Sequence, residues 1–306
     1  MASHRIGLDT FHYKWNKAHK PAITIRPGDD VTFEINEVTS GQITEGSNVD
    51  AVKNLDISKL YPMAGPVYVE GAMPGDTLTV EVMDVVPGEW GWSAIVNGLG
   101  LLEEFQEPYL FLWNLRKKDF ADFRGGIKIP LRPFCGTMGV ALPEEGSFEV
   151  LPPGKNGGNM DIRHLVAGSI LELPVFVDGA LFSTSDLHAA MGDGEVCVTA
   201  IECPGTARFR FGVKKDSKLG WPRYYSKGDE KSKKGYYTAT GIGPDLMAVT
   251  KDSVRNMIAH LMKTYGLTKE DAYVLCSVAA DVKIHEIVDQ PNWVVGTTIS
   301  LDIFPN

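Results

Sequence analysis

No stretch of this 306-residue chain reaches the roughly 18 consecutive apolar residues of a membrane-spanning helix, so no span is expected. Cysteine is scarce: Cys135, Cys197, Cys203 and Cys276 are the four, and none forms a C-x-x-C pair. In a chain of this length they read as reduced, mostly buried thiols of a cytoplasmic protein, not as a disulfide framework. The opening MASHRIGLDTFHYKW lacks an apolar run of signal-peptide length, which agrees with that setting. Basic charge is short as well. Thirty Lys and Arg stand against 39 Asp and Glu, a formal net charge of −9, and no nucleic-acid surface is expected. G-x-S-x-G, Walker, H-E-x-x-H and dinucleotide patterns are missing, so serine hydrolysis, ATP use and nicotinamide binding lose their usual support.

What the chain does have is 43% hydrophobic residues, 32 Gly and 18 Pro, with short β-branched runs between the turn formers. AITI (22–25), DVTFEIN (30–36), VYVEG (67–71), TLTVEVMDVV (77–86), SFEV (147–150), ILELPVFV (170–177), EVCVTAIE (195–202) and ARFRFGV (207–213) read as strands. Many short strands with turn signals between them predict a mainly β sandwich or barrel. Arg26-Pro-Gly-Asp29, Met73-Pro-Gly-Asp76 and Val166-Ala-Gly-Ser169 each precede a strand as the same kind of turn. Residues 97–126 are aromatic-rich and irregular, a candidate active-site loop or short helix. Trp90, Trp92, Phe105, Tyr109 and Trp113 are candidate pocket walls, with core or subunit interface as the other reading. Residues 214–234 carry eight Lys or Arg against three acids and read as a solvated insertion or hairpin. Near the end, Val254, Met257, Ile258, Leu261, Met262 and Tyr265 form a helical stripe closed by Gly266. Thr268 then caps a second helix to about Ala280, and strands are expected at 282–288 and 297–303. The expected division is a β core over 1–245 that carries the site, and a small α+β subdomain over 246–306.

Residues 179–202, GALFSTSDLHAAMGDGEVCVTAIE, concentrate the chemistry. Asp186, His188, Asp193 and Glu195 fall within ten positions beside apolar residues. Such a cluster is costly unless something pairs with it. Asp186 and His188 have i, i+2 spacing and share one face of a strand. A carboxylate with an imidazole suits zinc, or another divalent ion with oxygen ligands. A hairpin turn with solvated acids and one satisfied histidine is the plain alternative. Upstream, in KNGGNMD, Asp161 could complete a metal set and Asn159 could hydrogen-bond substrate, unless the segment is only an Asx-type turn. His12, beside Tyr13 and Trp15, is a third candidate for substrate binding, with packing the simpler role. Cys135, in the Gly-flanked loop RPFCGTMG, is a further one. It has no local base to form a thiolate, which favours a buried thiol.

These stretches resemble the acetamidase/formamidase family. The likeness runs over Pro21–Asp29 with its PGD turn, Arg132–Gly139, Gly158–Asp161 and above all residues 179–202. Ser185 stands where the family pattern usually has Gly before the Asp, and Leu187 sits between Asp and His; no candidate ligand is lost. The resemblance implies hydrolysis of formamide or acetamide to ammonia and a carboxylate. It also implies a jelly-roll-like β core with an α+β appendage, and homo-oligomers built from dimers.

On both grounds, Asp161, Asp186 and His188 are expected to hold a divalent ion, zinc first, with calcium or magnesium as alternatives. Glu195 is the expected general base, and Asp193 would orient the base or a ligand. Two rivals stand beside this reading. One is a cupin-like metal-dependent oxygenase or isomerase, although the histidine pair and downstream histidine motif of cupins are missing. The other is a non-catalytic β-sandwich binding module with a solvated acidic loop.

Overall fold

Alternation of apolar and polar residues along the longest strands leaves each with one face that must be covered, and two sheets cover each other. In the computed structural model, which describes residues 1–117 and 119–305, the larger sheet has nine strands. Their order is Ser3–Ile6, Asp30–Ile35, Gly205–Lys214, Thr77–Pro87, Ile170–Pro174, Arg223–Ser226, Tyr236–Gly243, Trp293–Ser300 and Ala280–Glu286. The second sheet runs Gly157–Asn159, Phe134–Gly139, Phe182–His188, Met63–Val69 and Phe11–His12, with Ile23–Ile25 also paired to Met63–Val69. Their inner faces make one core. Phe182 of the smaller sheet lies edge-on to Phe33 at 6.0 Å, Phe209 at 5.9 Å and Phe211 at 5.2 Å, all from the larger sheet. Fully burying one such aromatic contributes about 1.5–3 kcal/mol.

The turn reading holds in detail. Asp29, Asp76 and Ser169 each donate a backbone N–H, at 3.0 Å, to the carbonyl three residues back. The preceding Gly28, Gly75 and Gly168 have φ of 98°, 94° and 93°, as a type II turn requires. The helix Leu246–Tyr265 begins eight residues before its predicted stripe, because the Asp245 carboxylate accepts from Ala248 N–H and caps it there. Gly266 closes it in the left-handed conformation, and Thr268 caps Lys269–Ala279 as expected.

The C-terminal strand Trp293–Ser300 pairs with Tyr236–Gly243 and carries Ala280–Glu286 on its other edge, so the large sheet runs across the 245/246 boundary. No helix among the described residues is long and apolar enough to cross a membrane. All four cysteines are free, and Cys197 is the exposed one.

Several local expectations are corrected. Residues 195–202 are not a strand: Glu195 and Val198 have φ of 44° and 65°, which breaks extension, and the segment forms turns with isolated bridges. SFEV makes only a bridge from Phe148 to Trp15. The predicted RPFCGTMG loop is instead the buried strand Phe134–Gly139. Within 97–126 the strands Tyr109–Asn114 and Phe120–Asp122 form, and within 214–234 the strand Arg223–Ser226.

Two histidines make stability acid-sensitive. His12 is held down to about 4, by burial first and then by His19, and His260, stacked on Tyr237 at 3.6 Å, is also held to about 4, by burial and then Arg223. The folded state therefore binds fewer protons than the unfolded chain between pH 6.5 and 4, and stability falls as pH drops through that window. For His12 the loss is on the order of 3 kcal/mol. Melting temperatures across this range should fall less steeply in His12→Gln, and an unchanged slope would refute the assignment.

Candidate active site

Asp186 and His188 end the strand Phe182–His188, which is buried along its whole length. Its neighbour Phe134–Gly139 pairs Cys135 with Leu187 and Thr137 with Ser185, which places Gly136 across from Asp186. A Cβ at Gly136 would overlap Asp161 Oδ1 and lie 2.7 Å from Asp186 Oδ2 and 3.0 Å from His188 Cε1. The glycine thus makes the space in which these side chains meet.

His188 is the hub. Its Nε2 lies 3.2 Å from Asp186 Oδ1, 3.1 Å from Glu202 Oε2 and 3.9 Å from Glu195 Oε1, and its Nδ1 lies 3.7 Å from Asp161 Oδ1. None of these close approaches has hydrogen-bond alignment. Asp161 Oδ1, both ring nitrogens of His188 and Glu202 Oε2 are buried without a partner. Three overlapping sets bring donor atoms within 4.8 Å of one another: Asp161, Asp186 and His188; His188, Glu195 and Glu202; Asp161, Glu195 and Asp289. Buried polar atoms that crowd a common point without bonding each other are the pattern left by ligands of a cation. Asp161, Asp186 and Glu195 also have φ of 44°, 59° and 44°, left-handed strain that functional residues commonly hold.

The electrostatics agree. Burial, reinforced by Asp186, raises Asp161 to about 7, and burial raises Glu202 to about 8. Burial and then Asp161 push Glu195 and Asp289 well above the carboxylate range. Burial opposes charge on His188, but Glu202 and Asp186 override it and raise the imidazole. Carboxylates packed this closely cannot all ionise without positive charge among them.

Of the expected site residues the fold brings together Asp161, Asp186, His188 and Glu195, and Glu202 and Asp289 join them without having been expected there. The phenol of Tyr61 is kept protonated by burial and by the charges of Asp289, Asp186, Asp161 and Glu195. The acids of the IHEIVDQ stretch, alternating with apolar residues, were the available signal for Asp289; Tyr61 had none.

The other expected site residues lie differently. Asn159 donates to Asp161 Oδ2 at 2.9 Å and to Asp289 Oδ2 at 2.6 Å, and its Oδ1 accepts from Thr137, so both its N–H groups are spent on fixing the carboxylates. Cys135 is in the core, its thiol pushed to about 12 by burial. His12 bonds Lys14 O and Ser183 Oγ, both at 2.9 Å, and supports the site strand from behind. Asp193 sits with His164 at 3.2 Å and His285 at 3.8 Å, outside the three sets around His188.

Glu195 connects the buried cluster to solvent. It lines a cleft of about 520 Å³ together with Trp113, Arg132, Arg163, Met191 and Thr199. Of the expected aromatic walls, Trp113 reaches this cleft, Trp92 is in a core cluster, and Phe105 lines a separate cavity of about 500 Å³.

A β-sandwich holding a buried carboxylate–imidazole cluster, open to a cleft through a single acid, has the layout of a hydrolytic centre. The acetamidase/formamidase family model matches residues 5–146 and 142–306. The chain is similar to the acetamidase of Mycolicibacterium smegmatis, 31% identical over 60% of this chain and 61% of that protein, less than two thirds of its length. It is 26% identical to the formamidase of Methylophilus methylotrophus, over 96% of this chain and 91% of that one. The crystal structure of an acetamidase from Bacillus halodurans superposes with a TM-score of 0.90 at 31% identity, over 98% of both chains. The chain belongs to the acetamidase/formamidase family, and with it to the amide hydrolases.

Proposed function

We propose that the chain hydrolyses a short linear amide, formamide or acetamide, to ammonia and a carboxylate, with Asp161, Asp186, His188 and Glu202 holding a divalent ion. The observation that carries this is the set of buried, unpartnered donor atoms on Asp161, His188 and Glu202 beside Glu195 at the cleft floor. When bound, such an ion polarises a carbonyl and acidifies water. One imidazole among several carboxylates suits zinc and leaves calcium or magnesium as alternatives.

Glu195 takes the proton of the attacking water as oxygen bonds to the amide carbon, and returns it to the nitrogen as the C–N bond breaks. Asn159 keeps Asp161 and Asp289 in place through its two N–H bonds. Burial and the nearby carboxylates keep the Tyr61 phenol protonated, so it remains a hydrogen-bond donor.

Ammonia release should fall about 10²-fold or more after chelation and return on metal add-back, since this role supplies several kcal/mol. Formamide, acetamide and propionamide compared side by side would give the preferred chain length. Full activity in rigorously demetallated protein would sink the reading.

An intracellular homo-oligomer built from dimers is part of the same reading. It is supported by exposed Tyr273, Val274 and Val278 on the helix Lys269–Ala279, beside exposed Val282 on the edge strand. Sedimentation tests it, and a monomer at micromolar concentration would refute it.

A further inference from the structure

A second group of metal-type donors lies apart from the His188 cluster. His164 Nε2 is 3.2 Å and His285 Nδ1 is 3.8 Å from Asp193 Oδ1, and the three donor atoms lie within 4.8 Å of one another. The two imidazoles meet nearly edge-on, with ring centroids 5.7 Å apart. Two ligands of a tetrahedral zinc stand about 3.3 Å apart, given metal–ligand bonds of about 2.0–2.1 Å. The observed separations bracket that value.

The second, independent observation is that these nitrogens have no other use. His285 is 0% exposed, yet its Nδ1 has no hydrogen-bond partner, and neither does the buried His164 Nε2. On the far side of the ring, His285 Nε2 lies 3.2 Å from the Tyr224 hydroxyl. The Tyr224 oxygen can accept from Nε2–H in the tautomer that leaves the Nδ1 lone pair free for an ion. An outer hydrogen bond that fixes the tautomer is the usual companion of a metal-bound histidine. The ring is also given room: a Cβ at Gly296 would overlap His285 Nε2. The nearby cation is Arg163, with Nε 3.7 Å from Asp193 Oδ1 and Nη1 donating to Met191 O at 2.9 Å. It neutralises part of the carboxylate.

We propose that His164, Asp193 and His285 form a second divalent-metal site, selective for a nitrogen-preferring ion such as zinc over magnesium or calcium. Two imidazoles to one carboxylate set that preference, whereas the His188 cluster is mostly oxygen. The remaining coordination positions face solvent, since Asp193 and His164 side chains are 34% and 20% exposed. The site also has a mechanical use. Gly194 N–H donates to His285 O at 2.8 Å, so an ion on Asp193 and His285 would clamp the turn that delivers Glu195 to the cleft.

The test is zinc stoichiometry and affinity of the demetallated full chain on titration with Zn2+. Wild type is expected to bind one ion more than His164→Ala or Asp193→Asn. His164 is partly exposed and Asp193→Asn is isosteric, so both variants should fold, which circular dichroism checks. Asp186→Asn should retain the ion that His164→Ala loses, and Tyr224→Phe should weaken it by about 10–100-fold. Equal stoichiometry and affinity in wild type and His164→Ala would overturn the proposal. So would loss of all binding in both His164→Ala and Asp186→Asn, which would mean one shared site. If instead Asp186→Asn binds as wild type does while His164→Ala binds one ion fewer, this site stands and it is the ion at the His188 cluster that fails.

Discussion

Glu195→Gln should cut turnover by about 10²–10⁴-fold while leaving bound metal and melting temperature near wild type. Gln keeps the volume and one acceptor oxygen but cannot take a proton. The position is decisive because Glu195 belongs to two donor sets at once, with His188 and Glu202 on one side and Asp161 and Asp289 on the other. It is also the acid of the cluster that lines the cleft. Burial and Asp161 hold its carboxyl far above the ordinary range, the direction that favours accepting a proton near neutral pH. Turnover should carry the loss and KM should change little, because proton transfer is stronger in the transition state than in the bound substrate. A loss of less than tenfold with metal retained would remove Glu195 from the base role and turn attention to Asp289.

Gly136→Ala is the second large effect. The added methyl would overlap Asp161 Oδ1 and press on Asp186 Oδ2 at 2.7 Å, deep in a strand buried along its length. Neither carboxylate can retreat easily. Asp161 is tied to Asn159, and Asp186 sits at a left-handed backbone position. A displacement of about 1 Å at a reacting centre can cost about 10²-fold in rate, and metal content should fall with it. Gly46→Ala is the control, because nothing lies within 4 Å of the added carbon and the site is remote in sequence. Wild-type turnover and metal content in Gly136→Ala would mean that Asp161 is not needed where the structure places it.

The strand pattern, the PGD turns and the two C-terminal helices were legible because each rests on local chemistry: period-two alternation, a glycine at positive φ, a capping side chain. The D-x-H pair was legible for the same reason, since strand spacing alone puts both groups on one face. Glu202 was missed because EVCVTAIE has the composition of a strand. Left-handed backbone at Glu195 and Val198 folds it instead into turns that swing Glu202 to within 3.1 Å of His188. No propensity encodes that, because the strain is held by the packing around it. Asp193 was grouped with Glu195 by proximity in sequence, yet side chains two residues apart across a glycine turn point into different clusters. Asp289 and Tyr61 come from distant parts of the chain, and only the closed sandwich brings them in. Asn159 spends both N–H groups on Asp161 and Asp289, and Cys135 packs in the core, neither of which local sequence shows.

The placement of the last strands has a consequence for how this protein comes into being. Asp289 follows the edge strand Ala280–Glu286, and Trp293–Ser300 must insert between that edge and Tyr236–Gly243 before the large sheet is continuous. Synthesis must therefore pass residue 300 before Asp289 and its flanking strands can close on Asp161. A chain interrupted before that point would leave one edge of Tyr236–Gly243 unpaired, a row of free backbone groups open to misassociation.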